Sequence, residues 1–195
     1  KRQGEFVTFR EVLDEVGVDA TRFFYLMRTT DSHLDFDLEL ATAQSQDNPV
    51  YYVQYAHARI WSILRYARTS LPWWTRRGRV PLTRLTEPEE RLVLRQLAQF
   101  PMITDACARA LEPQGLTVYL QRLAELFHVF YTKHRVVTED VGRSRARLAL
   151  ADAARIVLAN GLQLLGISAP KHMSRQATGD AEPGPPPSAR STEMA

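Results

Sequence analysis

Residues 47–67, DNPVYYVQYAHARIWSILRYA, predict a long amphipathic helix around which the rest of the chain packs. Asp47 or Asn48 can accept hydrogen bonds from the first free N–H groups, and Pro49 suits a position where no N–H is needed. We expect this helix to end near Ser70. An apolar stripe at alternating three- and four-residue steps faces the core and consists of Val53, Ala56, Ile60, Ile63 and Ala67.

A second stripe with nearly the same spacing lies beside the apolar one and consists of Tyr52, Tyr55, Arg59, Ser62 and Tyr66. At the rise of an α-helix, Tyr52 and Arg59 are about 10 Å apart, room for two or three unstacked bases on rings and a cation. The same pattern is also typical of a half-buried contact between bundle helices. The residues alone leave both interpretations open.

The composition of the chain indicates a globular protein with no disulfide. Its 195 residues are 45% hydrophobic and carry a formal net charge of +3, which permits a nucleic-acid partner without requiring one. The single cysteine, Cys107, excludes an internal disulfide and a CxxC metal site. No apolar run is long enough for a membrane span and no signal peptide opens the chain, so we predict a cytoplasmic protein.

Shorter helices are predicted on both sides of the central one. Thr8 can cap a helix that stops at Gly17, and Asp19 can cap a second one over residues 20–29. The acidic side chains between residues 31 and 39 lack the central glycine of a calcium loop, so a solvated turn is predicted there. After the central helix, periodic segments predict helices over residues 87–99, 101–111, 117–133 and 143–165, with Pro101 starting a new helix.

Two further features admit more than one interpretation. In residues 71–88, the pair Trp73–Trp74 lies beside Arg76, Arg77 and Arg79 and can either stack on RNA or close the mouth of the bundle. His128 has no second histidine at metal-ligand spacing, so we predict a hydrogen-bonded helix residue. No Ser/His/Asp set, glycine-rich phosphate loop or metal cluster is found, which favours binding over catalysis.

The segment NPVYYVQYAHARI, residues 48–60, resembles the start of the anticodon-binding domain of arginyl-tRNA synthetases. FHVFYTKHRV, residues 127–136, and GISAPKHM, residues 166–173, match the same family. The resemblance covers residues 1–173. It implies an all-α fold in which residues 1–45 end the catalytic domain with short connecting helices and residues 46–173 form the anticodon-binding bundle. Residues 174–195, rich in proline, glycine and serine, are predicted to be a disordered tail.

The resemblance also implies a tRNA-binding site. Its residues are expected to be Tyr52, Tyr55, Arg59, Tyr131, Arg135 and Met173. Tyr131 and Arg135 are four residues apart, which predicts one helical face, and Met173 corresponds to the methionine that ends many bacterial members of the family. The implied partner is the anticodon region of arginine tRNA.

The activity implied for a longer parent protein is the ligation of arginine to its tRNA, with ATP and Mg²⁺. KRQG at the start of the chain resembles the end of the second class I signature loop, so Lys1 would contact ATP there. The chain begins with Lys1 and not Met, so a piece of a longer protein is predicted. Alone it is expected to bind tRNA as a monomer, with no metal, no cofactor, no DNA and no membrane. A stand-alone tRNA-binding module and a helical protein–protein adaptor remain alternatives.

Overall fold

A computed structural model describes residues 8–29, 36–71 and 80–173, and within these ranges the regular structure is entirely helical. The elements are α1 (Phe9–Val16), α2 (Val18–Leu26), α3 (Leu38–Thr42), α4 (Pro49–Ser70), a 3₁₀ turn (Leu82–Arg84), α5 (Pro88–Ala110), α6 (Gln114–Lys133) and α7 (Val141–Leu164). The prediction of an all-α fold is therefore confirmed for this part of the chain.

Several predictions concern residues outside the described ranges. They are those on Lys1, on Asp31 and Asp35, on Trp73–Trp74 with the neighbouring arginines, and on the tail over residues 174–195.

The central helix, α4, begins and ends as its sequence predicts. The Asn48 side chain accepts hydrogen bonds from the N–H groups of Val50 and Tyr51, at 3.2 and 3.4 Å, and Pro49 occupies the first turn. Asn48 is buried, and its amide nitrogen donates to the carbonyl oxygens of Ala41 and Ala43 at 3.0 and 2.9 Å. One side chain thus both caps α4 and attaches the preceding segment to it.

The core lies between α4 and three later helices. α5 and α6 pair side by side, and α7 packs against both and against α4. The predicted apolar stripe of α4 faces this core, where Val53, Ala56, Ile60 and Ala67 have no exposed surface. A Cβ atom added to Gly161 of α7 would lie 2.5 Å from a methyl carbon of Leu120, so any larger residue would force the Leu120 side chain of α6 to move.

The prediction that Pro101 separates two helices is wrong, because α5 runs through it as one helix from Pro88 to Ala110. A proline inside a helix removes one backbone hydrogen bond and crowds the carbonyl four residues earlier. Pro101 is exposed, and α5 is held along its length by α6. Burial of the apolar side of α5 therefore offsets the lost hydrogen bond.

The connecting helices also differ from the prediction in two details. Gly17, at a φ of 86°, ends α1 and starts α2, so Asp19 lies in the first turn of α2 and does not cap it. The acidic segment ends in a short helix, α3, because the Asp37 carboxylate accepts a hydrogen bond from the N–H of Leu40 at 3.0 Å. An aspartate at this position favours a helix start over an open turn.

Candidate nucleic-acid interface

Aromatic rings from α4 and α6 meet on one side of the bundle. The His128 ring of α6 lies 4.8 Å from the Tyr52 ring and 5.8 Å from the Tyr55 ring, centroid to centroid, and is nearly parallel to the latter at 15°. Tyr55 also stacks on Tyr51 at 6.2 Å. All four side chains are half-buried. The result is an aromatic surface that has one side in the core and one side accessible to a ligand.

The guanidinium of Arg59 is held against the next ring along α6. Its Nη2 donates a hydrogen bond to the hydroxyl oxygen of Tyr131 at 3.0 Å, and its Cζ lies 4.9 Å from the centre of the same ring. Contacts of both kinds restrict the rotamers of a long side chain. Arg59 therefore presents its charge in a defined position.

A cleft of about 300 Å³ opens beside these rings, between α4 and the chain that follows α7. Its lining residues are Tyr55, Ala58, Arg59, Ser62, Arg65, His172 and Met173. One ring face, one thioether and two guanidinium groups thus surround a space that suits a planar group. An unstacked base offers an apolar face and carries a phosphate nearby, which is the combination that this lining can accept.

Burial sets the protonation of the aromatic groups. Desolvation lowers the pKa of His128 to about 4, and the charge of Arg59 contributes in the same direction. Desolvation raises the pKa of Tyr52 above its ordinary value, and the Glu125 carboxylate adds to the shift. At neutral pH the imidazole is therefore uncharged and the Tyr52 hydroxyl keeps its proton.

The prediction of a hydrogen-bonded His128 is wrong for one of its nitrogens. Nε2 is buried and has no hydrogen-bond partner among the described residues. The ring packs against the Tyr52 and Tyr55 rings of α4, and this burial leaves the nitrogen without a polar contact among the described residues. Periodicity does not reveal this role, because it depends on which α4 residues face α6.

The structure brings most of the predicted site residues together. Tyr55, Arg59 and Met173 line the cleft, and Tyr52 and Tyr131 join it through the rings and the guanidinium just described. Arg135 does not share a helical face with Tyr131, because α6 ends at Lys133 and the next residue has an extended backbone. Its carbonyl oxygen accepts a hydrogen bond from Arg147 at 2.7 Å, and Arg135 itself is exposed.

Sequence reasoning missed two polar residues of the cleft, Arg65 and His172. A signal for the first was present, since Arg65 follows Ser62 of the expected stripe by three residues and so lies near it on the helix surface. Nothing in the local sequence points to His172, whose place depends on how the chain returns after α7. Its Nδ1 accepts from Arg65 at 3.4 Å.

In residues 8–29, 36–71 and 80–173, no three His, Cys, Asp or Glu side chains are grouped so that they could hold a metal ion. Among the helices of the same ranges, none has the length and apolar character needed to cross a membrane.

Comparisons with known proteins give a consistent result. The family model described as the DALR anticodon binding domain matches residues 53–173. An arginine–tRNA ligase of Syntrophotalea carbinolica is 52% identical over 172 residues, which is 88% of this chain and 31% of that protein. One of Symbiobacterium thermophilum is 50% identical over 173 residues, 89% of this chain and 31% of that protein.

A solved structure agrees with these sequence matches. The arginyl-tRNA synthetase of Thermus thermophilus superposes with a TM-score of 0.70 at 30% identity, over 89% of this chain and 29% of that one. The chain spans about a third of the length of the curated relatives that it matches.

Proposed function

The chain belongs to the family of DALR anticodon binding domains, and from this premise we propose that it binds the anticodon region of arginine tRNA. The observation that carries the proposal is the cleft in which Tyr55, Arg59 and Met173 meet from distant parts of the chain. Its ring, thioether and guanidinium groups are those that hold an unstacked loop base and its phosphate.

Four of the lining residues and the neighbouring Tyr52 have distinct roles in the proposed binding mode. A base of the anticodon loop stacks on the accessible face of Tyr55, and the Met173 thioether packs against its other face. The positive charges of Arg59 and Arg65 attract the phosphates on either side of the base. Tyr52, with its hydroxyl protonated, supports the ring surface and offers a hydrogen-bond donor at its edge.

Tyr131 and Arg135 contribute less directly to this mode. Tyr131 positions the Arg59 guanidinium through the hydrogen bond and ring contact between them. Arg135, exposed beyond the end of α6, adds charge for a phosphate farther along the RNA.

The wider activity concerns a longer protein. Since the curated relatives are arginine–tRNA ligases about three times as long as the matching region, we place this chain in the C-terminal part of such a ligase. ATP, with Mg²⁺, is used there to activate arginine, and Lys1 contributes to the loop that contacts ATP. We also propose that the protein is monomeric and acts in the cytoplasm.

A binding titration tests the central proposal. The chain is titrated with a fluorescently labelled anticodon stem-loop of arginine tRNA, and the control is the same stem with an unrelated loop sequence. We expect tighter binding of the arginine loop, with an affinity that falls steeply as salt rises because phosphate contacts release counterions. Equal binding of both loops, or no RNA binding together with capture of a protein partner, would favour the adaptor interpretation.

A further inference from the structure

The chain after α7 follows the surface of α4 and ends in the cleft. We call residues 166–173 the C-terminal strap. Four contacts join the strap to α4, and they occur in the same order along both segments. The first two are hydrogen bonds, from Gln54 to the Ser168 carbonyl at 3.0 Å and between His57 and the Pro170 carbonyl at 2.8 Å. The next two are the Lys171 ammonium over the Trp61 ring at 5.0 Å and His172 with Arg65 at 3.4 Å. Met173 follows as the strap residue that closes the cleft.

One of these contacts defines the state of a buried side chain. His57 is 2% exposed, and the Pro170 oxygen can only accept a hydrogen bond, so Nδ1 of His57 carries a proton. Burial lowers the pKa of His57, and the cations Arg155 and Lys171 add to that effect. The neutral ring is therefore a fixed donor beneath the middle of the strap.

The beginning of the strap is held by the connecting helix α2. The Asp19 carboxylate accepts hydrogen bonds from the Ser168 N–H at 3.2 Å, from the Ser168 hydroxyl, and from the Gln54 amide at 2.9 Å. Arg22 of the same helix donates to the Gly166 carbonyl. Asp19 thus bonds both to the strap and to the helix beneath it.

From this arrangement we propose that Asp19 is a positioning residue for the cleft: it touches no RNA, but it fixes the strap so that Met173 lies opposite Tyr55. This inference rests on the proposed function. Hydrogen bonds to a charged group are stronger than neutral ones, so a carboxylate suits an exposed chain segment that must be ordered. Without this anchor, RNA binding would also have to order the strap, at a cost in affinity.

The same arrangement links two parts of the fold. α2 belongs to the connecting helices that precede the bundle, whereas the cleft lies on α4. A displacement of α2 would therefore reach the strap and Met173 through Asp19 and Ser168. The link consists of direct contacts, so each step of it can be removed by substitution.

The test is a double-mutant cycle on the whole chain with the labelled arginine anticodon stem-loop. Asp19→Ala is expected to weaken binding by roughly five- to tenfold, because the RNA must then also order the strap. Combined with Met173→Ala it should cause no further loss, because both changes disable the same contact. Asp14→Ala, which removes an exposed carboxylate from α1, serves as the matched control and should bind like the unsubstituted chain.

A second measurement reports on the strap without RNA. The chain has three tryptophans, and the substitutions Trp73→Phe and Trp74→Phe remove two of them, so that only Trp61 remains. Release of the strap removes Lys171 from the Trp61 ring, so Asp19→Ala should increase quenching of its fluorescence by acrylamide. Ser168→Ala retains the Asp19–Gln54 bond and should show the same changes to a smaller extent, which covers the case that Asp19→Ala fails to fold.

The outcomes separate the two proposals. If the unsubstituted chain binds the RNA and Asp19→Ala binds equally well, or if its loss simply adds to that of Met173→Ala, the positioning role is overturned while the proposed function stands. If the unsubstituted chain binds no RNA, the proposed function fails. In that case the quenching decides alone: increased quenching supports the anchoring by Asp19, and unchanged quenching overturns it.

Discussion

Single side chains of the candidate interface have distinct physical roles. Tyr55 is half-buried, with the His128 ring beside it and the cleft in front of it. Ile60, five residues farther along the same helix, has no exposed surface. Substitutions at these two positions therefore separate binding from folding.

We expect Tyr55→Ala to weaken binding of the arginine anticodon stem-loop by about ten- to a hundredfold, because stacking of a base on an aromatic ring contributes roughly 1–3 kcal/mol. Fluorescence anisotropy measures the affinity, and circular dichroism the melting temperature. Tyr66→Ala is the matched control, since Tyr66 is an exposed tyrosine of the same helix that does not line the cleft. Ile60→Ala should instead lose roughly 2–5 kcal/mol of stability. Full affinity in a folded Tyr55→Ala chain would show that the site lies elsewhere.

His128 predicts a dependence of stability on pH. Its pKa is about 4 in the folded chain and 6.5 in the unfolded chain, so the unfolded state binds more protons between these values. The stabilisation is complete above about pH 6.5 and is lost as the pH falls toward 4. Between about pH 7 and pH 5 we expect a loss of roughly 2 kcal/mol from this group.

Urea unfolding at the two pH values measures the difference, and His128→Phe is the control because it keeps a ring between the tyrosines but cannot titrate. The His57 pKa is also lowered by burial, so His128→Phe should reduce the dependence and not abolish it. An identical loss in both chains would rule out His128 as its source.

At the scale of the elements, a buried ion pair joins the ends of three helices. Nε of Arg147 in α7 lies 2.6 Å from a Glu90 carboxylate oxygen in α5, and both side chains are at most 5% exposed. The other Glu90 oxygen accepts from the Glu87 N–H at 2.9 Å, and Arg147 also donates to the carbonyl after α6. These contacts give a partner to both carboxylate oxygens of Glu90 and to Nε and Nη1 of Arg147, and buried polar groups require such partners.

Arg147→Met is expected to destabilise the protein by roughly 3–5 kcal/mol, because it leaves the Glu90 charge buried without its partner. The free energy of unfolding in urea measures this. Arg109→Met breaks an exposed pair with Asp105 at 2.8 Å and should cost less than about 1 kcal/mol. The double change Arg147→Met with Glu90→Leu should restore much of the loss, and a double variant as unstable as the single one would contradict the explanation.

At the scale of the whole molecule, the short helices and the bundle form one set of contacts. Asn48 joins α3 to α4, and Asp19 joins α2 to the C-terminal strap. The predicted boundary between residues 45 and 46 therefore separates segments that are in direct contact. That this boundary also separates two domains of a longer protein stays a prediction. The match to the family model begins at residue 53.

Residues 174–195 are predicted to contribute nothing to the stability of the fold. They contain PGPPP and no apolar stripe, so little burial is available to offset the entropy of ordering them. Deletion of 174–195, with Met173 retained, should leave the thermal midpoint unchanged in a calorimetric scan. A drop of several degrees would show that this segment packs against the bundle.

The sequence by itself determined the all-α class, the start and end of α4, and the assignment of Tyr55 and Arg59 to one surface. These features depend on neighbours three or four residues away, and such spacing can be read directly from the sequence. The resemblance of residues 48–60 added the family, which the match over residues 53–173 confirms.

Only the tertiary structure decided which distant residues meet. It placed His128 between the tyrosines, carried α5 through Pro101, separated Arg135 from the helical face of Tyr131, and made Asp19 an anchor for the strap. The first two depend on packing between helices, and the anchor depends on hydrogen bonds between segments far apart in the sequence. The spacing of residues along one helix carries no information about the partner that covers it.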